Sequence, residues 1–256
     1  MDDAGPNSEF RRFRPMADSA GSRSDVRHSC FVLLLAGVLV AQTGHAQTGH
    51  ARTGHAWAGH VQSGHDGSGR HLRLDFAKSS ETDLITGFAG DFEASPDSGS
   101  LIGLTLGTKL SDTLFGLPLS TTANIGVQHF DERGHQPDAY GVTAFVKAYY
   151  NWRLPFTNKE VRFGLGEGLS YVSRIPMSEQ RDFASKGVES VKLMNYLEWT
   201  VDVPLRQFEF FDSLFKGRVR DVNVGFVVWH RSTVFGLWGE SAGGINYMGI
   251  GFEAQY

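Results

Sequence analysis

At 256 residues the chain is long enough for one large domain plus extensions. Its net charge of −4 gives no reason to expect a nucleic-acid partner. Glycine is abundant at 31 residues and aromatics make up 12%, while mean hydropathy is slightly negative, a balance that suits alternating strands better than helical membrane spans.

In chain order, the first feature is the apolar run Phe31 to Ala41, too short to cross a bilayer, which takes about 20 residues. Arg23, Arg27 and His28 precede it and an Ala46-Gln47 junction follows, so residues 1–46 read as a secretory leader with an extended start. The competing reading is a buried apolar segment of a cytosolic protein. The single cysteine, Cys30, falls inside the leader, so the exported chain would carry no disulfide.

Between Gln42 and Arg70 the pair Gly-His recurs every five residues, at His45, His50, His55, His60 and His65. Such tracts can bind metal, but here no carboxylate or thiolate completes a site, and a period of five fits neither strand nor helix. Residues 47–80 therefore read as a disordered low-complexity linker outside the fold, with no metal site or cofactor expected.

The barrel-like portion is expected over residues 81–256, where the pattern turns to period two with turn residues between segments. Strands are predicted at about 84–93, 101–110, 119–130, 140–152, 160–173, 191–203, 219–232 and 245–256. Segments of this length match tilted strands crossing hydrocarbon, which take about 9–11 residues. One face carries Lys109, Asn124, Gln128, Lys147, Glu198 and Asp202, which a dry sandwich core could not hold unpaired. The fold class is therefore all-β: an eight-stranded antiparallel up-and-down transmembrane barrel of the outer-membrane type, polar inside and apolar outside. Tyr149, Tyr150, Trp152, Tyr171, Trp199, Tyr247 and Tyr256 lie near segment ends and read as interfacial girdle residues. A soluble barrel with an apolar lumen is the alternative. With periplasmic termini, the connections near 94–100, 131–139, 174–190 and 233–244 face outside, while 204–218 is too long for a tight turn.

The seventh segment carries the chemistry. One face reads Val222, Val224, Phe226, Val228, His230, Ser232, so an apolar stripe ends in a base and a nucleophile two residues apart. Histidine is the usual base for activating a serine hydroxyl, and the base needs a third group to fix its tautomer. If strands seven and eight pair across the loop, Asn246 falls opposite His230, where it would orient the imidazole or donate to an oxyanion. For the acid, Glu240 lies in the connecting loop and Glu167 interrupts the outward face of strand five. Arg174, Arg181 and Lys186 are balanced by Glu179, Asp182 and Glu189, so no phosphate-binding patch is expected.

The segment His230-Arg-Ser232, followed by a Gly-containing loop and Gly243-Gly244-Ile-Asn246-Tyr, resembles the PagL-type lipid A 3-O-deacylases. Gly164-Leu-Gly-Glu-Gly-Leu-Ser-Tyr171 and Lys192-Leu-Met-Asn-Tyr-Leu197 look like a PagL-related branch often labelled acyloxyacyl hydrolase. The resemblance covers roughly residues 84–256. It implies an outer-membrane esterase of a Gram-negative bacterium that removes the 3-O-linked acyl chain from lipid A of lipopolysaccharide without a cofactor. Ser232 would be the nucleophile, His230 the base and Glu240 the acid in sequence order. The family carries asparagine directly after the serine, where this chain has Thr233, so the oxyanion would fall to a backbone N–H or Asn246. A homodimer is left open. The competing function is a non-catalytic small barrel with a structural or adhesion role, and a pore is disfavoured because an eight-stranded lumen is filled by side chains.

Overall fold

The computed structural model describes residues 69–82, 86–87, 92–215, 219–233 and 244–256. The expected leader, the five repeat histidines and Glu240 lie outside the described residues. Eight strands run in sequence order: β1 (Arg70–Ser80), β2 (Ser100–Ser111), β3 (Ser120–Asp131), β4 (Ala139–Arg153), β5 (Glu160–Val172), β6 (Leu193–Pro204), β7 (Asp221–Ser232) and β8 (Gly244–Gln255). Each pairs antiparallel with its neighbours, and β8 returns to β1 to close a barrel. The all-β reading and the count of eight strands hold.

The first strand lies elsewhere than expected. The sequence placed it near 84–93 and gave residues up to 80 to the linker; β1 instead begins at Arg70. Its alternation is plain, with Leu72, Leu74 and Phe76 outside and His71, Arg73 and Asp75 inside. Charged residues on the inner face and the adjoining histidine repeat disguised it as linker. The segment 81–99 is the connection from β1 to β2.

Strand alternation sorts the barrel wall into two surfaces of opposite character. The outside exposes Ile102, Leu106, Ile125, Val127, Val142 and Ile250, among other large apolar side chains. The lower lumen holds charges. Arg73 Nη1 and Arg162 Nη2 both reach Asp202, at 3.0 and 2.9 Å; Arg162 Nη1 meets Glu253 at 2.8 Å; Lys147 Nζ meets Glu198 at 2.5 Å. Gln128 and Asn124 are buried there as expected, whereas Lys109 sits at the open lower end beside Asp112. The upper lumen is aromatic: Trp229 packs against Phe130, Tyr196 and Tyr247 with ring centroids 5.0–6.0 Å apart. Tyr149 and Tyr247, expected in an external girdle, are in fact buried inside, while Tyr150, Trp152, Tyr171 and Tyr256 are exposed.

The upper end bears the connections β1–β2, β3–β4, β5–β6 and β7–β8. In the third of these a short helix, α1 (Met177–Ser185), starts after Pro176. It stops at Gly187, whose positive φ of 69° lets the chain reverse and its N–H reach Ala184 O at 3.1 Å. Phe183 on this helix is fully buried with Met194 beneath it. At the lower end the long 204–218 connection folds as a 3-10 turn (Leu205–Gln207) and a second helix, α2 (Glu209–Phe215). Among the described residues no helix is long and apolar enough to cross a membrane.

Candidate functional site

Strand β7 delivers the candidate pair to the outer wall. Its inward residues are Asn223, Val227, Trp229 and Arg231, all buried, so His230 and Ser232 share the opposite, exterior face near the upper end. Both are half-buried. Their Cα atoms are about 7 Å apart by strand geometry.

Arg231, between them in sequence, anchors this strand end from the inside. Its Nη1 donates to Ser170 Oγ at 3.2 Å and its Nη2 to Lys192 O at 3.2 Å. Its Nε lies 3.1 Å from Glu179 Oε2 on α1. That last contact is close but poorly aligned, since neither Nε nor the Glu179 oxygens has hydrogen-bond geometry among the described residues. We therefore read it as a Coulombic contact. With alignment lacking, burial dominates and pushes the Glu179 carboxyl up to about 7, against the pull of Arg231.

The hairpin register sets His230 directly opposite Asn246, as the sequence anticipated. His230 Nδ1 and Asn246 Oδ1 are 2.7 Å apart, and Asn246 Nδ2 donates to Thr82 O at 2.7 Å. This chain fixes the proton. A backbone carbonyl can only accept, so the amide NH2 must face Thr82 and the amide oxygen must face the ring. That oxygen also only accepts, so Nδ1 carries the hydrogen and the neutral ring has its lone pair at Nε2. The backbone of Ile245 and the Asp182 carboxylate on α1 also act on the ring.

Gly244 lets the ring lie where it does. It is the register partner of Ser232, and a Cβ there would come within 2.8 Å of His230 Cε1 and 1.9 Å of Arg231 O. The imidazole edge therefore leans toward the Ser232 end of the hairpin. Among the described residues no hydrogen bond joins Ser232 to His230; serine–histidine contacts are often loose before substrate binds.

The two acids read from the sequence fare differently. Glu240 lies outside the described residues. Glu167 is on the exterior face as expected, but the register sets Leu197 of β6 between it and His230. The two are therefore two strand spacings apart, about 10 Å. Asn246 holds the Nδ1 edge of the imidazole. The Thr82 carbonyl that fixes it carries no side-chain signature, so the sequence offered no signal for it.

The β1–β2 connection also shelters the wall below the pair. Val228 and Met248 face outward yet are only 0% and 3% exposed. Gly87 packs so tightly on Met248 that an added Cβ would fall 2.2 Å from Met248 Cε. Beside this contact lies a groove of about 530 Å³ lined chiefly by Phe76, Lys78, Phe92, Phe226, Met248 and Ile250. It begins one register row below His230 and Asn246 and descends along the outside of β7, β8, β1 and β2. Its size is that of a small-ligand site, about 300–1,000 Å³.

No protein-family model, curated protein or solved structure matches this chain. What the geometry offers is an imidazole whose Nδ1–H is held by Asn246 and a neighbouring hydroxyl, both on the outer wall above a largely apolar groove. Among the described residues no cluster of histidine, cysteine, aspartate and glutamate is arranged to hold a metal ion.

Proposed function

We propose that this chain is an outer-membrane esterase that removes the 3-O-linked acyl chain from lipid A, using Ser232 as nucleophile, His230 as general base and Asn246 as the group that orients it. The observation that carries this reading is the His230–Asn246–Thr82 chain on the exterior wall, at the upper end of the apolar outward stripe of β7. Polar groups on such a wall are costly unless they are partnered or used. The exposed apolar exterior and charged lumen support placement in a bilayer. The groove below the pair suits a single acyl chain descending from the ester.

In the proposed reaction Ser232 Oγ attacks the ester carbonyl carbon while His230 Nε2 takes its proton. The tetrahedral intermediate collapses as the same nitrogen returns that proton to the departing sugar oxygen. Water, deprotonated by His230, then releases the fatty acid from Ser232. Asn246 gives its oxygen to the ring and one N–H to Thr82, so the oxyanion is assigned to backbone N–H groups or to the second Asn246 N–H.

The test is mass spectrometry of lipid A incubated with refolded full-length protein in detergent. Release of a hydroxy fatty acid is expected, and it is expected to vanish in Ser232→Ala. His230→Ala is expected to lose at least about 10²-fold, the usual contribution of a general base. Unchanged lipid A mass across detergents and divalent-ion conditions would instead favour a non-catalytic barrel with a structural or adhesion role.

A further inference from the structure

The charges of the upper end are not evenly matched. Arg181 meets Glu81 at 2.7 Å and also contacts Asp97, Lys186 meets Asp182 at 2.7 Å, and Arg133 meets Asp131 at 3.4 Å. Arg174 and Lys192 have no ion-pair partner among the described residues, although the whole chain carries a net charge of −4. Both line one cavity of about 400 Å³ together with Ser173, Ile175, Gln180 and Ser190. Among the described residues no carboxylate lines it.

The cavity is built on fixed parts. Gln180 Nε2 donates to Gln136 Oε1 and to Ile175 O, at 2.9 and 2.7 Å, which holds α1 against the β3–β4 connection. Ser173 Oγ accepts from the Tyr140 N–H at 3.0 Å, so its own hydrogen remains to donate. The Lys192 carbonyl is tied to Arg231. Two cations and two hydroxyls thus converge around an open space. Phosphate suits this set better than a carboxylate does, because a phosphate monoester brings close to two negative charges and three acceptor oxygens.

Position indicates what carries the phosphate. Tyr171 and Leu193, exposed on the outer wall, pair with one another directly below the cavity. Aromatic side chains at a strand end mark the interfacial level of a barrel, so the cations stand at headgroup height. Asn195 is the register partner of Ser232, and Lys192 lies three residues above it on the same chain. Strand geometry then puts Lys192 about 11 Å from Ser232 between Cα atoms, with its long side chain free to close part of that gap.

We propose that Arg174 and Lys192 form a receptor for a phosphate group carried on a lipid headgroup, seated beside Ser232 on the β5–β6 side while the acyl groove lies on the β8–β1 side. Its placement at headgroup height rests on the membrane reading above, whereas the anion chemistry does not. An amphiphile held this way is gripped at its head on one side of the hydroxyl and at its chain on the other.

The test uses the full chain refolded in dodecyl maltoside, with nuclear magnetic resonance of backbone amides as the readout. Titration with dodecyl phosphate is expected to shift the Ser173, Arg174, Ser190 and Lys192 signals saturably. Inorganic phosphate is expected to bind at least about tenfold more weakly. The double variant Arg174→Ala/Lys192→Ala is expected to lose at least about tenfold for dodecyl phosphate, while Arg133→Ala binds as the parent does. Shifts absent from those four residues, or a double variant that binds as the parent does, would overturn the proposal. Equal affinity for the two phosphates would overturn the lipid-headgroup assignment in favour of free phosphate. A parent chain that binds dodecyl phosphate through these four residues but releases no fatty acid from lipid A refutes the esterase alone, and one that hydrolyses without such binding refutes the receptor alone.

Discussion

Asn246 is the residue on which the candidate base depends. With its amide held by Thr82, it presents an oxygen to His230 and so leaves the ring one tautomer. Asn246→Ala removes that constraint without touching either reacting group. Under the proposed function we expect lipid A hydrolysis to fall by roughly 10–100-fold, the loss seen when the hydrogen-bond partner of a metal-bound imidazole is removed. Glu167→Ala is expected to leave the rate within about twofold, because Leu197 stands between that carboxylate and the ring. Rates that reverse this order would move the orienting role to the glutamate. The pair itself was legible: period two put His230 and Ser232 on one face, and the hairpin put Asn246 opposite. Which role Asn246 takes was not, because the deciding contact is to a backbone carbonyl 164 residues away.

At the scale of elements, the sequence signal was clearest where an apolar outer face alternates with small uncharged residues. β2, with Ile102, Leu104 and Leu106 outside, was found almost to the residue. β1 was missed because its inner face carries His71, Arg73 and Asp75, which only a partnered lumen makes tolerable. The charges of 174–190 disguise α1 as loop; in place it buries Glu179 3.1 Å from Arg231. Burial raises the Glu179 carboxyl from its ordinary 4.5 to about 7. The folded state therefore binds more protons than the unfolded one between these values. Stability from this group is fully present below about 4.5 and is lost as pH rises through about 7. Arg231 opposes that loss, while Asp182 and Glu132 act with burial to raise the carboxyl. Hydrogen exchange of the α1 amides, corrected for intrinsic rates, should thus show protection falling from pH 5 to 8, and Glu179→Gln should flatten the profile. Protection that rises over this range would mean that the ion pair, not the neutral acid, holds the helix down.

For the whole molecule, the barrel is an inverted globule whose apolar surface faces out and whose charges face in. An interior of that kind persists only if each charge is partnered, since an isolated buried ion costs several kcal/mol. Asp202 carries much of this requirement, because it bridges Arg73 and Arg162 at 3.0 and 2.9 Å, while Glu253 meets Arg162 at 2.8 Å and lies 3.8 Å from Arg73. Asp202→Ala would leave Arg73 with Asp75 and Arg162 with Glu253, two buried guanidiniums each short of one carboxylate. We expect a loss of about 3–5 kcal/mol, read from the urea midpoint of the refolded barrel in lipid vesicles. Asp112→Ala, which removes the exposed partner of Lys109 at the lower end, is expected to cost no more than about 1 kcal/mol. If both variants unfold at the same urea concentration, the lumen is wet enough to screen its charges. In that case the exterior apolar belt and strand closure, rather than the internal ion ring, hold the barrel together.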